Sequence, residues 1–318
     1  QKLQLVSSFY FYLIIFYYLC NERNYNHFLR KLNSKIMNQE DLVSVIMPTY
    51  NASKYLADSI NSILNQTYKN LELLITDDAS TAPITLQLLQ EIASRDNRVN
   101  ILYLKENHGA GYARNKSIER AKGRYIAFCD SDDRWTTDKL EKQIAFMNEK
   151  KCALSCASYI IFDGETQEEI GFCTAPKKIT YGMMKRDNKV GCLTAIYDIK
   201  MLGRKFFMPT IRKRQDWALF LQIIKECKVC YSYPSKPLAY YCVRKNSISS
   251  NKMSLMKYNL AVYKKILGFH SIKANLYFFM LFLPTYGTKV LKRKLDSYFF
   301  LHHKRDLNQK FHNSTLDI

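Results

Sequence analysis

The chain has 318 residues, 47% of them apolar, with only 10 Gly and 7 Pro, which excludes collagen-like, low-complexity and wholly disordered classes and allows one large or two modest domains. Its 48 Lys+Arg against 28 Asp+Glu leave a charge of +20, and residues 236–318 alone hold 15 Lys+Arg against 3 Asp, a net +12. An excess of this size suggests nucleic acid, an anionic membrane surface or a phosphorylated substrate as partner.

Residues 3–21 carry no charge, and as a helix they would reach about 28 Å, barely a bilayer core. Lys2 before this run and Arg23, Arg30, Lys31 and Lys35 after it suit an anchor. No small-x-small site follows, so a removable signal is not expected. Met37 stands just before the first clean strand and is the expected start. Residues 1–36, dominated by Phe, Tyr, Leu, Ile, Asn and Lys, then read as a non-native upstream extension, with a hydrophobic anchor as the alternative.

From Asp41 short β-branched runs alternate with helical patterns. Val43–Pro48, Leu71–Thr76, Val99–Leu104 and Tyr125–Cys129 are predicted strands; Ser53–Asn65, Ile84–Ser94, Ala110–Ala121 (closed by Gly123) and Thr136–Lys150 are predicted helices. This alternation implies βαβ units, hence an α/β fold with a mainly parallel sheet and helices on both faces. Residues 37–250 are expected to form that domain. The remainder, 251–318, is expected to be a basic, aromatic, helical tail near a membrane. Within it the apolar run Leu276–Leu283, too short to span, is followed by Lys289, Lys292, Arg293 and Lys294. Two readings stand side by side there, an interfacial membrane segment and an ordinary helical pair packed on the body. The nine cysteines are odd in number and scattered, unlike a secreted disulfide framework. Cys227-x-x-Cys230 lacks the second pair that a zinc site needs.

Ligands of parallel sheets bind beyond the carboxyl ends of the strands. Those ends carry Pro48-Thr49-Tyr50-Asn51, Asp77-Asp78, Asn107–Gly111 and Asp130-Ser131-Asp132-Asp133. A single such turn is ordinary cap chemistry; two carboxylate pairs at the ends of one sheet are not. Asp130 and Asp132 lie on one side of a locally extended chain and suit Mg²⁺ or Mn²⁺, which bind through one or two carboxylates plus substrate phosphates. Asp77-Asp78 suits a base NH or ribose hydroxyls. Arg114, at a helix start, suits a phosphate or a base edge.

VSVIMPTYN, LLITDDAS, ENHGAGYARNKSI, AKGRYIAFCDSDDRW and RQDWALFLQI, in this order and spacing, resemble the blocks of the GT-A-fold glycosyltransferases of family 2, from about Val43 to Asn251. The resemblance implies a Rossmann-like GT-A sheet and an inverting, Mn²⁺- or Mg²⁺-dependent transfer from a nucleoside diphosphate sugar, here a UDP-sugar. It implies that Pro48, Thr49 and Tyr50 line the nucleotide and that Asp77 or Asp78 holds the base. Asp130, Ser131 and Asp132 would meet ribose and the diphosphate-bound metal, with Asp132 the metal ligand. Arg114 would stabilise the leaving diphosphate, and Asp216 would be the general base. A glycan or lipid-linked acceptor in cell-surface polysaccharide synthesis follows, with the enzyme cytoplasmic and peripheral at the inner face of the membrane, and no nucleic-acid partner.

Four positions depart from the family pattern. Ala79 replaces Gly in a turn that favours positive φ, Gln215 replaces an acid before Asp216, Ser117 replaces Gly, and Cys242 replaces an Arg, leaving Arg244 as a candidate phosphate contact. Asp216 reads otherwise as a first-turn helix residue favoured by the dipole, and Trp217 floors a sugar pocket or simply packs. An NAD-dependent oxidoreductase is suggested by Gly109-Ala110-Gly111, which lacks the third glycine. A basic binding protein is suggested by the net charge, but acidic strand ends would repel a phosphate backbone.

Overall fold

In the computed structural model residues 41–244 and 252–314 are described, with side chains over 41–244 and 256–303; the expectations for residues 1–36 lie outside them. The four anticipated strands are β1 (Val43–Thr49), β2 (Leu71–Asp77), β3 (Val99–Tyr103) and β4 (Tyr125–Phe128). The helices between and after them are α1 (Ser53–Leu64), α2 (Pro83–Arg95), α3 (Ala110–Arg120) and α4 (Lys139–Lys150). They belong to an eight-stranded sheet of order β3-β2-β1-β4-β10-β6-β11-β9, which adds β6 (Leu154–Ala157), β9 (Lys178–Thr180), β10 (Ile196–Asp198) and β11 (Val229–Tyr233). The β3-β2-β1-β4 half is parallel, β10 runs antiparallel between β4 and β6, and β9 is an antiparallel edge. A second sheet, β5-β12-β7-β8, joins β5 (Arg134–Trp135), β7 (Tyr159–Asp163), β8 (Glu169–Cys173) and β12 (Ala239–Val243).

Successive residues of β1 enter different cores, as the period of two requires. Val43, Val45 and Met47 pack with α1 residues Leu56 and Ile60, whereas Ile46 joins Phe128, Tyr197 and Phe220 on the other face. Both faces are therefore covered and β1 is buried throughout. Gly123 does not close α3, whose C-cap is Ala121. Its need for glycine is spatial: a Cβ there would lie 2.5 Å from the Leu42 carbonyl oxygen, so only glycine lets the chain enter β4 beside β1.

After β9 come α5 (Tyr181–Arg186), the short α6 (Ile199–Leu202) and α7 (Gln215–Cys227). The C-terminal region is helical: α8 (Lys252–Ala261), α9 (Ser271–Tyr277) and α10 (Leu283–Ser314), with a π-turn over Phe278–Phe282 linking the last two. It is more than an appended tail, because Val262, Tyr263, Ala274, Phe278 and Phe282 lie in the same hydrophobic cluster as Trp217 and Phe220. Further along, Ser297 Oγ accepts the Phe172 N–H at 2.9 Å and donates to its carbonyl at 3.2 Å, covering edge strand β8. Among the described residues eight cysteines are free, and no helix is long and apolar enough to cross a membrane.

Candidate active site

The cleft opens where β1 and β4 part. Ladder bonds from β1 alternate sides: Asp78 N–H donates to the Thr49 carbonyl on the β2 side, and Cys129 N–H donates to the Ile46 carbonyl on the β4 side. Register with β4 ends at Ile46–Phe128. Pro48, buried within β1, therefore has its missing donor on the side where no partner strand remains. Here the strand order reverses direction, the place where open α/β sheets bind ligands.

The loops around this opening are laced to one another. Asn51 Oδ1 accepts the N–H groups of Thr81 and Ala82, both at 2.9 Å. Asp77 accepts Ser80 N–H at 2.9 Å and Ser80 Oγ–H at 2.5 Å. Asp78 accepts His108 N–H at 2.9 Å and Gly109 N–H at 2.7 Å. Both aspartates are buried, so their first task is to hold the loops after β2 and β3; each retains lone pairs beyond these bonds. Ala79 does adopt positive φ, +62°, and Ser117 is accommodated because its hydroxyl lies 2.7 Å from Thr76 Oγ1 and donates to the Leu74 carbonyl. Tyr50 is 50% exposed at the strand end, and the buried Thr49 Oγ1 has no hydrogen-bond partner among the described residues. An orphaned buried hydroxyl at a ligand cleft is a group that a ligand can satisfy.

After β4, Asp130 to Asp133 form a turn closed by Asp133 N–H donating to the Asp130 carbonyl, with Ser131 between the two candidate metal carboxylates. Asp130 Oδ1 accepts from an Arg114 terminal nitrogen at 2.5 Å, and Asp132 Oδ2 lies 2.5 Å from Arg244. Burial, then the neighbouring Asp130 charge, push the Asp132 carboxyl above its usual range against the pull of Arg244. Asp133 is fully buried and pushed further by burial and both neighbours; its Oδ1 accepts the Cys242 N–H at 2.8 Å. Cys242 itself faces Tyr55 and Phe162, so the guanidinium at this rim belongs to Arg244.

Arg114 is the hub. Burial alone would lower its affinity for the proton, but the hydrogen-bonded Asp130 carboxylate, helped by Asp216, more than reverses this, holding it above its ordinary value. Its Nε is buried without a partner among the described residues. Asp216, in the first turn of α7, thus sits in the same field as Asp130, and Asn188 donates to its Oδ2 at 2.8 Å. Gln215 packs over Gly111 of α3, where a Cβ would lie 2.5 Å from the Gln215 side chain. Trp217 packs in the core: it is fully buried, donating from Nε1 to the Met184 carbonyl at 2.7 Å. Asn188 carries no periodicity or spacing that marks it, and Asp133, though legible as part of the acidic strand-end turn, shows its structural role only through its distant partner Cys242.

A divalent cation fits this donor set with a qualification. Among the described residues no three His, Cys, Asp or Glu side chains form a metal-holding group. Two neighbouring carboxylates, a largely buried Asp132 beside a partly exposed Asp130, suit instead a hard cation that arrives with phosphate oxygens as its other ligands.

Residues 44–207 match the family model described as Glycosyl transferase family 2. The chain is 41% identical over 258 residues to TuaG of Bacillus subtilis, named as a teichuronic acid biosynthesis glycosyltransferase, covering 81% of this chain and 99% of TuaG. It is 37% identical to WfgD of Escherichia coli, a UDP-Glc:alpha-D-GlcNAc-diphosphoundecaprenol beta-1,3-glucosyltransferase, over 68% of this chain and 83% of WfgD. The fold is similar to that of S. aureus TarS 1-349 in complex with UDP-GlcNAc, with a TM-score of 0.58 at 21% identity, covering 74% of this chain and 70% of that one. It is also similar to the mannosyltransferase PcManGT of Pyrobaculum calidifontis in complex with GDP-Man and Mn²⁺, with a TM-score of 0.57 at 16% identity over 85% and 81% of the two chains.

Proposed function

This chain is a member of glycosyltransferase family 2, and on that footing we propose that it moves a sugar, with inversion, from a UDP-sugar to a hydroxyl of a lipid-linked or glycan acceptor in polysaccharide synthesis. Residues 37–250 are the catalytic unit in this reading. The observation that carries it is the buried Arg114 guanidinium bonded to Asp130 in the turn after β4, with the Asp216 charge adding to the same field.

Pro48, Thr49 and Tyr50 line the nucleotide, the free lone pairs of Asp77 or Asp78 take the base, and Ser131 borders the ribose. Asp130 and Asp132 would hold Mn²⁺ or Mg²⁺, which when bound offsets negative charge on the diphosphate. Asp216 accepts the proton of the acceptor hydroxyl as its oxygen bonds to the anomeric carbon. The bond from that carbon to the phosphate oxygen breaks with its electron pair leaving on the diphosphate, and Arg114 stabilises the charge that develops there.

A peripheral position on an anionic membrane surface is part of the same reading. Ile272, Leu276, Phe279, Met280 and Leu283 are exposed while Ala274, Phe278 and Phe282 point into the core. In sequence that apolar stripe lies within residues 236–318, whose net charge is +12, the combination that interfacial segments use. The name of WfgD gives a diphosphoundecaprenol-linked GlcNAc as the acceptor of that relative, and the name of TuaG places that one in teichuronic acid biosynthesis.

The test is a panel of UDP-, GDP- and dTDP-sugars with Mn²⁺ and with N-acetylglucosaminyl diphospholipid, N-acetylglucosamine and polysaccharide acceptors. Metal-dependent UDP release that rises with one acceptor supports the proposal. Release from GDP- or dTDP-sugars alone, or release indifferent to chelator, overturns the donor or the metal assignment.

A further inference from the structure

The carboxylate proposed as base is held by a chain of bonds that begins in the C-terminal helix. Lys289 of α10 places Nζ 2.9 Å from Asp187 Oδ2 and donates to the Asn188 carbonyl at 2.6 Å. Lys189 approaches the same buried Asp187 oxygen at 3.1 Å. The Asp187 carboxylate, closed locally by Lys189 and tied to α10 by Lys289, anchors the 187–189 segment to the C-terminal helix. Asn188 Oδ1 accepts the Val190 N–H at 3.2 Å, which fixes the amide so that Nδ2 donates to Asp216 Oδ2 at 2.8 Å. An ionised carboxylate only accepts, and the bond from Asn188 restrains Oδ2, leaving Oδ1 as the Asp216 oxygen that Asn188 does not engage and that proton transfer can use.

The backing of the base comes from the same C-terminal helices. Trp217, the next residue, has its ring 5.6 Å from Tyr263, edge-on, and 5.9 Å from Phe282, stacked. The first turn of α7 is thus wedged from behind by residues 263 and 282 and steered from the side by residues 188 and 289.

We propose that Asn188 and Lys289 are positioning residues for Asp216, so that the C-terminal helix is a working part of the catalytic site as well as its candidate membrane surface. The proposal rests on the reading of Asp216 as the base. The role assigned to each is to set where the Asp216 oxygen lies, and a displacement of about 1 Å can cost on the order of 10²-fold in rate.

The experiment uses the full chain with the donor and acceptor selected by the panel, reading kcat, donor KM and, separately, UDP affinity in Mn²⁺ by calorimetry. Asn188→Ala is expected to lower kcat by roughly 10- to 100-fold with donor KM and UDP affinity within about twofold. Lys289→Met is expected to do the same more weakly, and Lys289→Arg, which keeps the cation, to recover most of the loss. The Lys289 pair keeps the proposal testable should Asn188→Ala fail to fold. Unchanged kcat in Asn188→Ala or Lys289→Met, or a loss carried by KM and UDP affinity, overturns it. Asp216→Asn separates the two ideas: full turnover in that variant removes the base assignment itself, whereas inactivity of Asp216→Asn beside normal Asn188→Ala and Lys289→Met removes only the positioning role.

Discussion

Arg114 reaches Asp130 at 2.5 Å from α3, a helix separated from the Asp130 turn by the whole of β4, and the same guanidinium lies in the field of Asp216. A buried guanidinium bonded to one carboxylate can trade it for the phosphate of a bound nucleotide. Lysine at this position keeps the charge but loses the planar fork. Arg114→Lys is therefore expected to reduce kcat by about 10²-fold or more, the scale of removing one preorganised charge donor. Steady-state kinetics beside a melting curve checks this; kcat within threefold of wild type at unchanged Tm refutes it.

Asp132 faces Arg244 across 2.5 Å and is held by burial and by Asp130 above the usual carboxylate range. Asp132→Ala removes one of two candidate metal carboxylates and leaves the turn closed, since that bond joins the backbones of Asp130 and Asp133. Transfer should fall to background and the dependence on added Mn²⁺ should vanish, while circular dichroism stays native. Metal-stimulated turnover in this variant would remove Asp132 from the ligand set.

Lys139 is wholly buried on α4, its Nζ 4.2 Å from the Trp135 ring and without a hydrogen-bond partner among the described residues. Burial lowers its pKa to about 7 from 10.5. Between those two values the unfolded chain binds a proton that the native state lacks. The penalty is thus full below about pH 7 and is relieved as pH rises toward 10.5, with a slope of up to ~1.4 kcal/mol per pH unit. Lys139→Met should raise Tm at pH 7, by an amount that shrinks as pH rises. The difference between wild type and variant isolates this group from the buried Asp133, which titrates in both. A Tm gain independent of pH would mean that packing, and not charge burial, separates the two.

Ala79 holds φ at +62° in the turn that follows β2. An L-residue there carries ~1–2 kcal/mol of local strain, partly offset in glycine by the larger entropy of the unfolded chain. Ala79→Gly is expected to stabilise by about 0.5–1 kcal/mol, and Gly123→Ala, which drives a Cβ to 2.5 Å from the Leu42 oxygen, to destabilise by at least about 1–3 kcal/mol. Chemical denaturation of the two variants compares them directly; a stabilised Gly123→Ala would show that the β1–β4 approach is softer than its geometry implies.

Much of the first half of the fold is readable from the chain itself. Apolar periodicity places β1 to β4 and α1 to α4 within a few residues, because each segment's pattern is set by neighbours in sequence and by burial on both faces. The strand-end residues Asp77, Asp78, Asp130 and Asp132 are legible for the same reason: strand direction alone tells which end of each segment a ligand meets. Family membership rests on those same ordered blocks.

Tertiary structure alone decided the rest. Nothing local in Ile196–Asp198 marks it as a strand inserted antiparallel between β4 and β6, and Trp217 could have faced a sugar until Tyr263 and Phe282 closed over it. The sequence proposed Asp77 and Asp78 as ligand groups; only the fold shows that backbone N–H groups from the loops after β2 and β3 already occupy them. Asp133 with Cys242, and Asn188 with Asp216 and Lys289, are pairings between residues remote in the chain. Their hydrogen bonds form only when closure of long loops has been offset by burial elsewhere, and no residue type or spacing announces such a partner in advance.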